Sequence, residues 1–178
     1  DFYTEEKRGR PIDAAAVKKT VEDAFTAILN GSAEDDGFNS LVVLAGLEWR
    51  ETWLLRASAK YLLQAGISYS QSYIEETLAL HPEIARALIA VFHARFNPAG
   101  PKSIDARKKE FEAALSKVES LLDDVQSLDQ DRIFRRYLNL FAAMVRTNYF
   151  QRDETGAHRP YISFKLVSTM ITDLPEPH

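Results

Sequence analysis

The chain has 178 residues, 46% of them hydrophobic and 27% charged, which suits one folded domain, or one domain with a short appendage, and is too apolar for a disordered segment. Its formal net charge of −4 argues against nucleic acid as the main partner, because binding to phosphate backbones requires clustered lysine and arginine. The absence of cysteine excludes disulfides and thiolate metal sites and fits a cytoplasmic location, and no apolar run approaches the roughly 20 residues that span a bilayer.

The two ends of the chain suggest that it is part of a longer protein. The chain starts at Asp1 without methionine or a signal-peptide pattern. It stops at His178, soon after a strand-like run that has no second strand in the sequence to pair with. We therefore expect the chain to be a segment of a larger polypeptide.

The first predicted helix begins after a capping residue, Asp13, and ends at Asn30-Gly31. Its apolar residues recur at three- and four-residue spacing, which is typical of an amphipathic helix. These residues are Val17, Val21, Ala24, Phe25 and Ile28.

An acidic loop, 34–37, separates this helix from the next two. Its acids are contiguous rather than alternating, so a solvated loop ending in an Asp cap is favoured over a calcium site. A short apolar helix is predicted over about 38–45. Trp49 and Trp53 lie on the following helix, which ends at Gly66.

Two further helices are predicted between 68 and 97. Ser68-x-x-Gln71 has the form of a capping box, and Pro82 suits a first helical position. The apolar residues that follow this proline recur with a period near 3.6. They are Ile84, Leu88, Val91, Phe92 and Phe96. The segment 97–101, with two prolines and a glycine, then interrupts the helices.

A heptad-like stripe marks the next helix and predicts packing at a shallow angle against a neighbour. Its members are Ile104, Phe111, Val118 and Val125, with Leu115 and Leu122 four residues after two of them. Asp129 is the predicted cap of a last helix. That helix carries Ile133, Tyr137, Leu140, Phe141, Met144 and Asn148.

After Gln151 the apolar period drops to two, which indicates a half-buried strand. Ile162, Phe164 and Leu166 face one way along it. The predicted fold is mainly α, an irregular bundle of about seven helices with one C-terminal β-strand that lacks its sheet partners. We divide the chain into a helical domain, 1–151, and a linker and terminal strand, 152–178, that belong to a following catalytic domain.

Few residues have the spacing of a chemical site. The four histidines are scattered, and His81, which precedes a proline, suits a loop or capping role. Trp49 and Trp53 are more typical of core or interface anchors than of a ligand stack. Arg135 and Arg136 are more typical of solvent-facing or carboxylate-paired side chains than of a phosphate site. No glycine-rich phosphate loop or nucleophile motif is present, so we assign no catalytic, cofactor-binding or metal residue.

Several stretches, in order, resemble the large NAD-specific glutamate dehydrogenases of bacteria. Two are Arg146-Thr147-Asn148-Tyr149-Phe150-Gln151 and Pro160-Tyr161-Ile162-Ser163-Phe164-Lys165-Leu166. The others are 38–42, 45–51, 54–57, 73–78, 81–86, 94–98, 128–133 and 173–175. The resemblance runs from about residue 38 to the C-terminus, and only the helical pattern carries over across 101–127.

The resemblance implies a parent enzyme that oxidatively deaminates L-glutamate to 2-oxoglutarate and ammonia and reduces NAD. This segment would be the helical region that leads into the catalytic domain, without catalytic function itself, with the family's catalytic lysines and dinucleotide-binding glycines beyond His178. Its partners would be the remaining domains of the same polypeptide, and the parent would be a homo-oligomer. Its place between regulatory modules and the catalytic domain raises the hypothesis that it relays an effector signal.

Two other classes of function remain open at this point. One is an independent all-helical ligand-sensing or interaction module, which an apolar pocket inside the bundle would favour. The other is a stand-alone helical enzyme, which the missing acid–base and phosphate motifs argue against. If the chain is instead a segment of a glutamate dehydrogenase, we predict that the end of the last helix and the strand face contact another domain. The residues of this contact are Tyr149, Phe150, Ile162, Phe164 and Leu166.

Overall fold

The computed structural model describes residues 14–172 and residue 174, with side chains from residue 17 onward. Over these residues the chain forms seven α-helices and two short β-strands, which confirms the predicted mainly α fold. The helices are α1 (Ala14–Leu29), α2 (Ser40–Leu44), α3 (Trp49–Gln64), α4 (Gln71–Leu80), α5 (Pro82–Phe96), α6 (Ile104–Leu122) and α7 (Leu128–Ala143). The strands are β1 (Met144–Thr147) and β2 (Phe164–Leu166). The predicted cap Asp13 lies outside the described residues.

Glycine and proline mark several helix boundaries as predicted. Gly31 follows α1 and Gly66 follows α3, with φ angles of 69° and 91° in the left-handed region that glycine adopts at little cost. Pro82 is the first residue of α5, where its missing N–H would have no helical partner in any case.

Two helix caps lie two residues from their predicted positions. Ser70, not Ser68, caps α4, and its Oγ accepts a backbone N–H at 3.2 Å. Ser127, not Asp129, caps α7, and its Oγ accepts a backbone N–H at 3.4 Å. Each segment offers two oxygen-bearing candidates, and only the one that directly precedes the first helical turn can reach its free N–H groups.

The core lies where α3, α4, α5 and α7 pack together. It includes Leu54, Leu55, Ile74, Leu78, Leu88, Phe92, Phe134 and Phe141, each fully or almost fully buried. Tyr137 is also fully buried, and its hydroxyl donates to the backbone oxygen of Leu55 at 3.1 Å. This hydrogen bond joins α7 to α3 through the centre of the bundle.

The heptad-like stripe of α6 is buried only in its second half. Val118 and Leu122 are buried, whereas Ile104 is 84% exposed and Val125 lies beyond the end of the helix. The prediction that Ile104 packs inward is therefore wrong. Although α6 spans 19 residues, no helix in the described part of the chain is long and apolar enough to cross a membrane.

The last helix ends five residues earlier than predicted, and the terminal strand has a partner. Residues 144–147 leave the helix and form β1, which pairs antiparallel with β2. The predictions that Met144 and Asn148 are helical and that the strand lacks a partner are therefore wrong. Met144 is fully buried in this conformation, so its apolar character fits either structure and could not separate them.

Candidate functional site

An aromatic cluster fixes the chain where it leaves the helical bundle. The ring of Phe92 on α5 lies 5.2 Å from the ring of Tyr149 and 6.0 Å from that of Phe150, centroid to centroid. It also lies 5.7 Å from Phe141, at the end of α7. Offset and edge-to-face ring pairs of this kind stabilise the folded chain beyond the effect of burying their apolar surface. The segment after β1 is thus packed against α5.

Arg50, on the first turn of α3, joins that helix to the C-terminal part of the chain. Its Nη2 donates to the backbone oxygen of Tyr149 at 3.1 Å and its Nη1 to that of Arg159 at 3.5 Å. The guanidinium carbon lies 5.6, 5.4 and 5.1 Å from the ring centroids of Trp49, Trp53 and Tyr149. No carboxylate among the described side chains forms an ion pair with Arg50, so carbonyl oxygens and aromatic faces stabilise its charge.

Burial sets the protonation of the groups around Arg50. Removal from water lowers the pKa of Arg50 and raises the pKa of the Tyr149 hydroxyl, and the nearby Glu51 raises the latter further. The pKa of His158 is lowered by burial and then by the charges of Arg50 and Arg152. At neutral pH the cluster therefore holds a neutral tyrosine and a neutral imidazole beside a charged guanidinium.

Asn148 connects the two segments that contain the strands. Its Nδ2 donates to the backbone oxygen of Tyr161 at 3.0 Å, and its Oδ1 accepts the N–H of Ser163 at 2.7 Å. The side chain is 7% exposed, so both polar ends are satisfied inside the protein. Its hydrogen bonds hold the approach to β2 beside the end of β1.

The residues predicted to contact another domain fall into two groups. Tyr149 is 5% exposed and packs, with Phe150, on Phe92 inside this chain. Ile162, Phe164 and Leu166 are half-buried and pack against the core. The structure thus brings all five to the same end of the bundle, and a contact with another domain stays a prediction.

The acidic loop has a role that the sequence did not reveal. Asp36 caps a 3-10 turn by accepting the N–H of Phe38 at 3.1 Å, as predicted, and also binds the side chain of Arg56. Arg56 is 1% exposed although it is an arginine in the middle of α3. The sequence signal for this role is that Leu54, Leu55 and small residues flank Arg56, which indicates that its side chain is buried. A buried cation needs an anionic partner.

Several other polar side chains pair with one another within this chain. In the described part of the chain, no three histidine, aspartate or glutamate side chains converge as metal ligands would. Nε2 of His93 lies 3.3 Å from Oε1 of Glu51, and Nε2 of His81 lies 3.0 Å from Oε1 of Gln130. Arg135 pairs with Asp131 across one helical turn, as predicted.

Two family models match the chain, one after the other. Residues 33–98 match "glutamate dehydrogenase, helical motif 3", and residues 117–178 match "bacterial NAD-glutamate dehydrogenase, catalytic domain". Similar proteins include NAD-specific glutamate dehydrogenases of Halomonas elongata and Pseudomonas aeruginosa, each 39% identical over 99% of this chain. The corresponding enzyme of Mycobacterium tuberculosis is 43% identical over 93% of it.

The chain belongs to the NAD-specific glutamate dehydrogenase family. It spans 10–11% of the length of these relatives. The helical-motif match covers α2 to α5, and the catalytic-domain match begins within α6 and includes α7, β1 and β2. The division of the chain at residue 151 stays a prediction.

Proposed function

We propose that this chain is a non-catalytic helical scaffold of an NAD-dependent glutamate dehydrogenase. The parent enzyme, an oxidoreductase, would convert L-glutamate to 2-oxoglutarate and ammonia with reduction of NAD, and the reaction would take place in domains outside this segment. Family membership and the small share of the relatives' length support this reading. The observation that carries it is the use of the buried polar side chains: Arg50, Arg56 and Asn148 bind backbone or neighbouring side chains of this chain.

The scaffold would hold the first strands of the catalytic domain against the helices. Three independent contacts support this function: the ring of Phe92 on Tyr149, the guanidinium of Arg50 on the carbonyl oxygens that flank the 150–158 segment, and the two hydrogen bonds of Asn148. Residues 152–178 would then be the part of this chain that continues into the catalytic domain.

The experiment is a comparison of this chain with the full-length parent in an assay of L-glutamate-dependent NAD reduction. We expect activity in the parent and none in the segment. Activity of the segment alone would overturn the non-catalytic assignment, and an inactive parent would overturn the enzyme assignment.

Asn148→Ala in the parent tests the scaffold directly. We expect thermal stability and activity to fall together, because the variant leaves the N–H of Ser163 and the backbone oxygen of Tyr161 without their partner. Gln64→Ala, at an exposed position at the end of α3, is the matched control and should change neither. Loss of activity at unchanged stability would instead indicate a direct role for Asn148 in the reaction.

The relay of regulation to the catalytic domain is part of the same proposal. The stripe of Phe111, Leu115 and Val118 joins α6 to α5 and would carry the coupling. Substituting these residues in the parent and measuring its response to effectors tests the relay. An unchanged response would overturn it.

The parent would act in the cytoplasm as a homo-oligomer whose segments contact one another rather than nucleic acid or membrane. The alternative of an independent ligand-sensing module gains no support from the cavity between the end of α3 and α7. That cavity has a volume of about 630 Å³ and lies at the surface. Tyr69, Asp129, Arg132 and Asn139 are among its lining residues, so it is not the apolar interior pocket that such a module would need.

A further inference from the structure

Two cations stand directly opposite each other on the paired strands. Arg146 on β1 and Lys165 on β2 are register partners, and both side chains are exposed. Directly opposed residues of an antiparallel pair lie on the same face with their Cβ atoms about 5 Å apart, where like charges destabilise the pair. Among the residues that the structure describes, neither cation has an ion pair or a side-chain hydrogen bond. This arrangement is unfavourable for the segment by itself.

The depression beside the two cations is lined by hydrogen-bond acceptors and aromatic rings, and no carboxylate is among its lining residues in the part of the chain that the structure describes. Arg146 and Lys165 line an open depression of about 480 Å³. Its other lining residues are Phe96, Thr147, Asn148, Gln151, Tyr161, Ser163 and Phe164. The exposed fraction of Tyr161 is 56%, and that of the neighbouring Val145 is 42%. Arginine and large aromatic side chains beside exposed apolar surface are the composition of protein interfaces.

We propose that this face of the β1–β2 pair, the Arg146–Lys165 face, is a docking surface for an acidic segment of the same polypeptide. The inference rests on the proposed function, because it takes the partner from the nine tenths of the relatives' length that this chain does not span. A carboxylate placed between the two cations would convert their repulsion into a pair of charge-assisted hydrogen bonds. A protein segment fits better than a small anion because the depression is open and one of its lining residues, Tyr161, is itself largely exposed.

The test is photo-cross-linking in the full-length parent. Tyr161 is replaced by p-benzoylphenylalanine, which keeps an aromatic ring at the edge of the depression, and cross-linked peptides are identified by mass spectrometry. The expected product is a link within one chain to a peptide outside these 178 residues that contains aspartate or glutamate. Phe25, 61% exposed on α1 and distant in sequence, is the matched control site and should not link to that peptide. Links only within the 178 residues, links to a second copy in isotope-mixed samples, or no links would overturn the proposal.

Lys165→Glu separates docking from folding. In the 178-residue chain the variant places a carboxylate opposite Arg146, so its melting temperature should be equal to or above that of the unsubstituted chain. In the parent the same change should lower the cross-linking yield several-fold, and replacing the cross-linked carboxylate with lysine should restore it. An unchanged yield would overturn the role of the charges. Assaying glutamate-dependent NAD reduction on the same samples keeps the two proposals apart, since an active parent with no cross-link removes only the docking surface.

Discussion

The guanidinium of Arg56 binds the carboxylate of Asp36 through two parallel hydrogen bonds. Nε lies 2.7 Å from Oδ2, and Nη2 lies 2.7 Å from Oδ1. Nη2 also contacts Oδ1 of Asn39 at 2.7 Å, so the whole of this short turn is fixed to the buried side of α3. The exposed fraction is 1% for the Arg56 side chain and 13% for Asp36. A pair this well buried is costly to break from one side only.

Asp36→Asn should therefore destabilise the chain by about 3 kcal/mol, because it leaves the buried guanidinium without an anionic partner. Urea denaturation of the 178-residue chain measures the change in the free energy of unfolding. Glu34→Gln is the matched control: Glu34 pairs with Lys60 at the surface, and its loss should cost about 0–1 kcal/mol. Equal changes in the free energy of unfolding for the two substitutions would contradict the view that the buried Arg56 depends on Asp36 as its anionic partner.

Alkaline pH should destabilise the chain through two tyrosines. Burial raises the pKa of both Tyr137 and Tyr149 well above the ordinary value, whereas in the unfolded chain both lose their protons near pH 10. The stabilisation by the neutral hydroxyls is complete below about pH 10 and is lost as the pH rises above it. Each tyrosine should contribute a slope of about 1.4 kcal/mol per pH unit.

Tyr149→Phe isolates one of these contributions. The Tyr149 hydroxyl has no hydrogen bond among the described residues, so its removal should change stability little at neutral pH. Above pH 10 the loss of stability per pH unit should be smaller than in the unsubstituted chain by about 1.4 kcal/mol. The measurement is denaturation at several pH values, and an unchanged slope would contradict the burial of this hydroxyl.

Arg50→Lys should loosen the segment between Tyr149 and Arg159. A lysine ammonium cannot reproduce the planar fork that donates to both carbonyl oxygens and lies against three aromatic rings. We expect faster hydrogen exchange in residues 150–160 and a loss of about 1–3 kcal/mol of stability. Arg132→Lys, at an exposed position on α7 where Arg132 pairs with Asp129, lies outside this segment and is the control. Equal hydrogen exchange of residues 150–160 in the two variants would contradict the role of Arg50 in holding this segment.

The two ends of α6 should respond differently to truncation of aliphatic side chains. Val118→Ala removes buried methyl groups and should cost about 2 kcal/mol. Ile104→Ala, at a position 84% exposed, should change stability by less than about 0.5 kcal/mol. Thermal unfolding of both variants checks this difference. A larger loss of stability at Ile104 would show that the first turns of α6 are buried against the rest of the chain.

Local signals in the sequence predicted most helices, because periodicity, Pro82 and the glycines at 31 and 66 act within a few residues. The same signals failed at the end of α7. There, Met144 and Asn148 continue a helical spacing, yet the backbone switches to a strand because β2, some twenty residues later, supplies the pairing groups. The two displaced caps at Ser70 and Ser127 are smaller failures of the same kind, since several side chains could have made the bond.

The sequence by itself determined the mainly α class, the breaks between the helices and the family resemblance, all of which depend on residues close together in the chain or on their order. Only the tertiary structure decided which polar side chains are buried and what they bind. Arg50 looks like an ordinary surface residue of a helix until the chain brings the Tyr149 carbonyl against it. The apolar neighbours of Arg56 in the sequence indicate burial, but only the fold brings the Asp36 carboxylate against its guanidinium. Arg146 and Lys165 became opposing charges in the same way, through a strand register that long-range pairing sets.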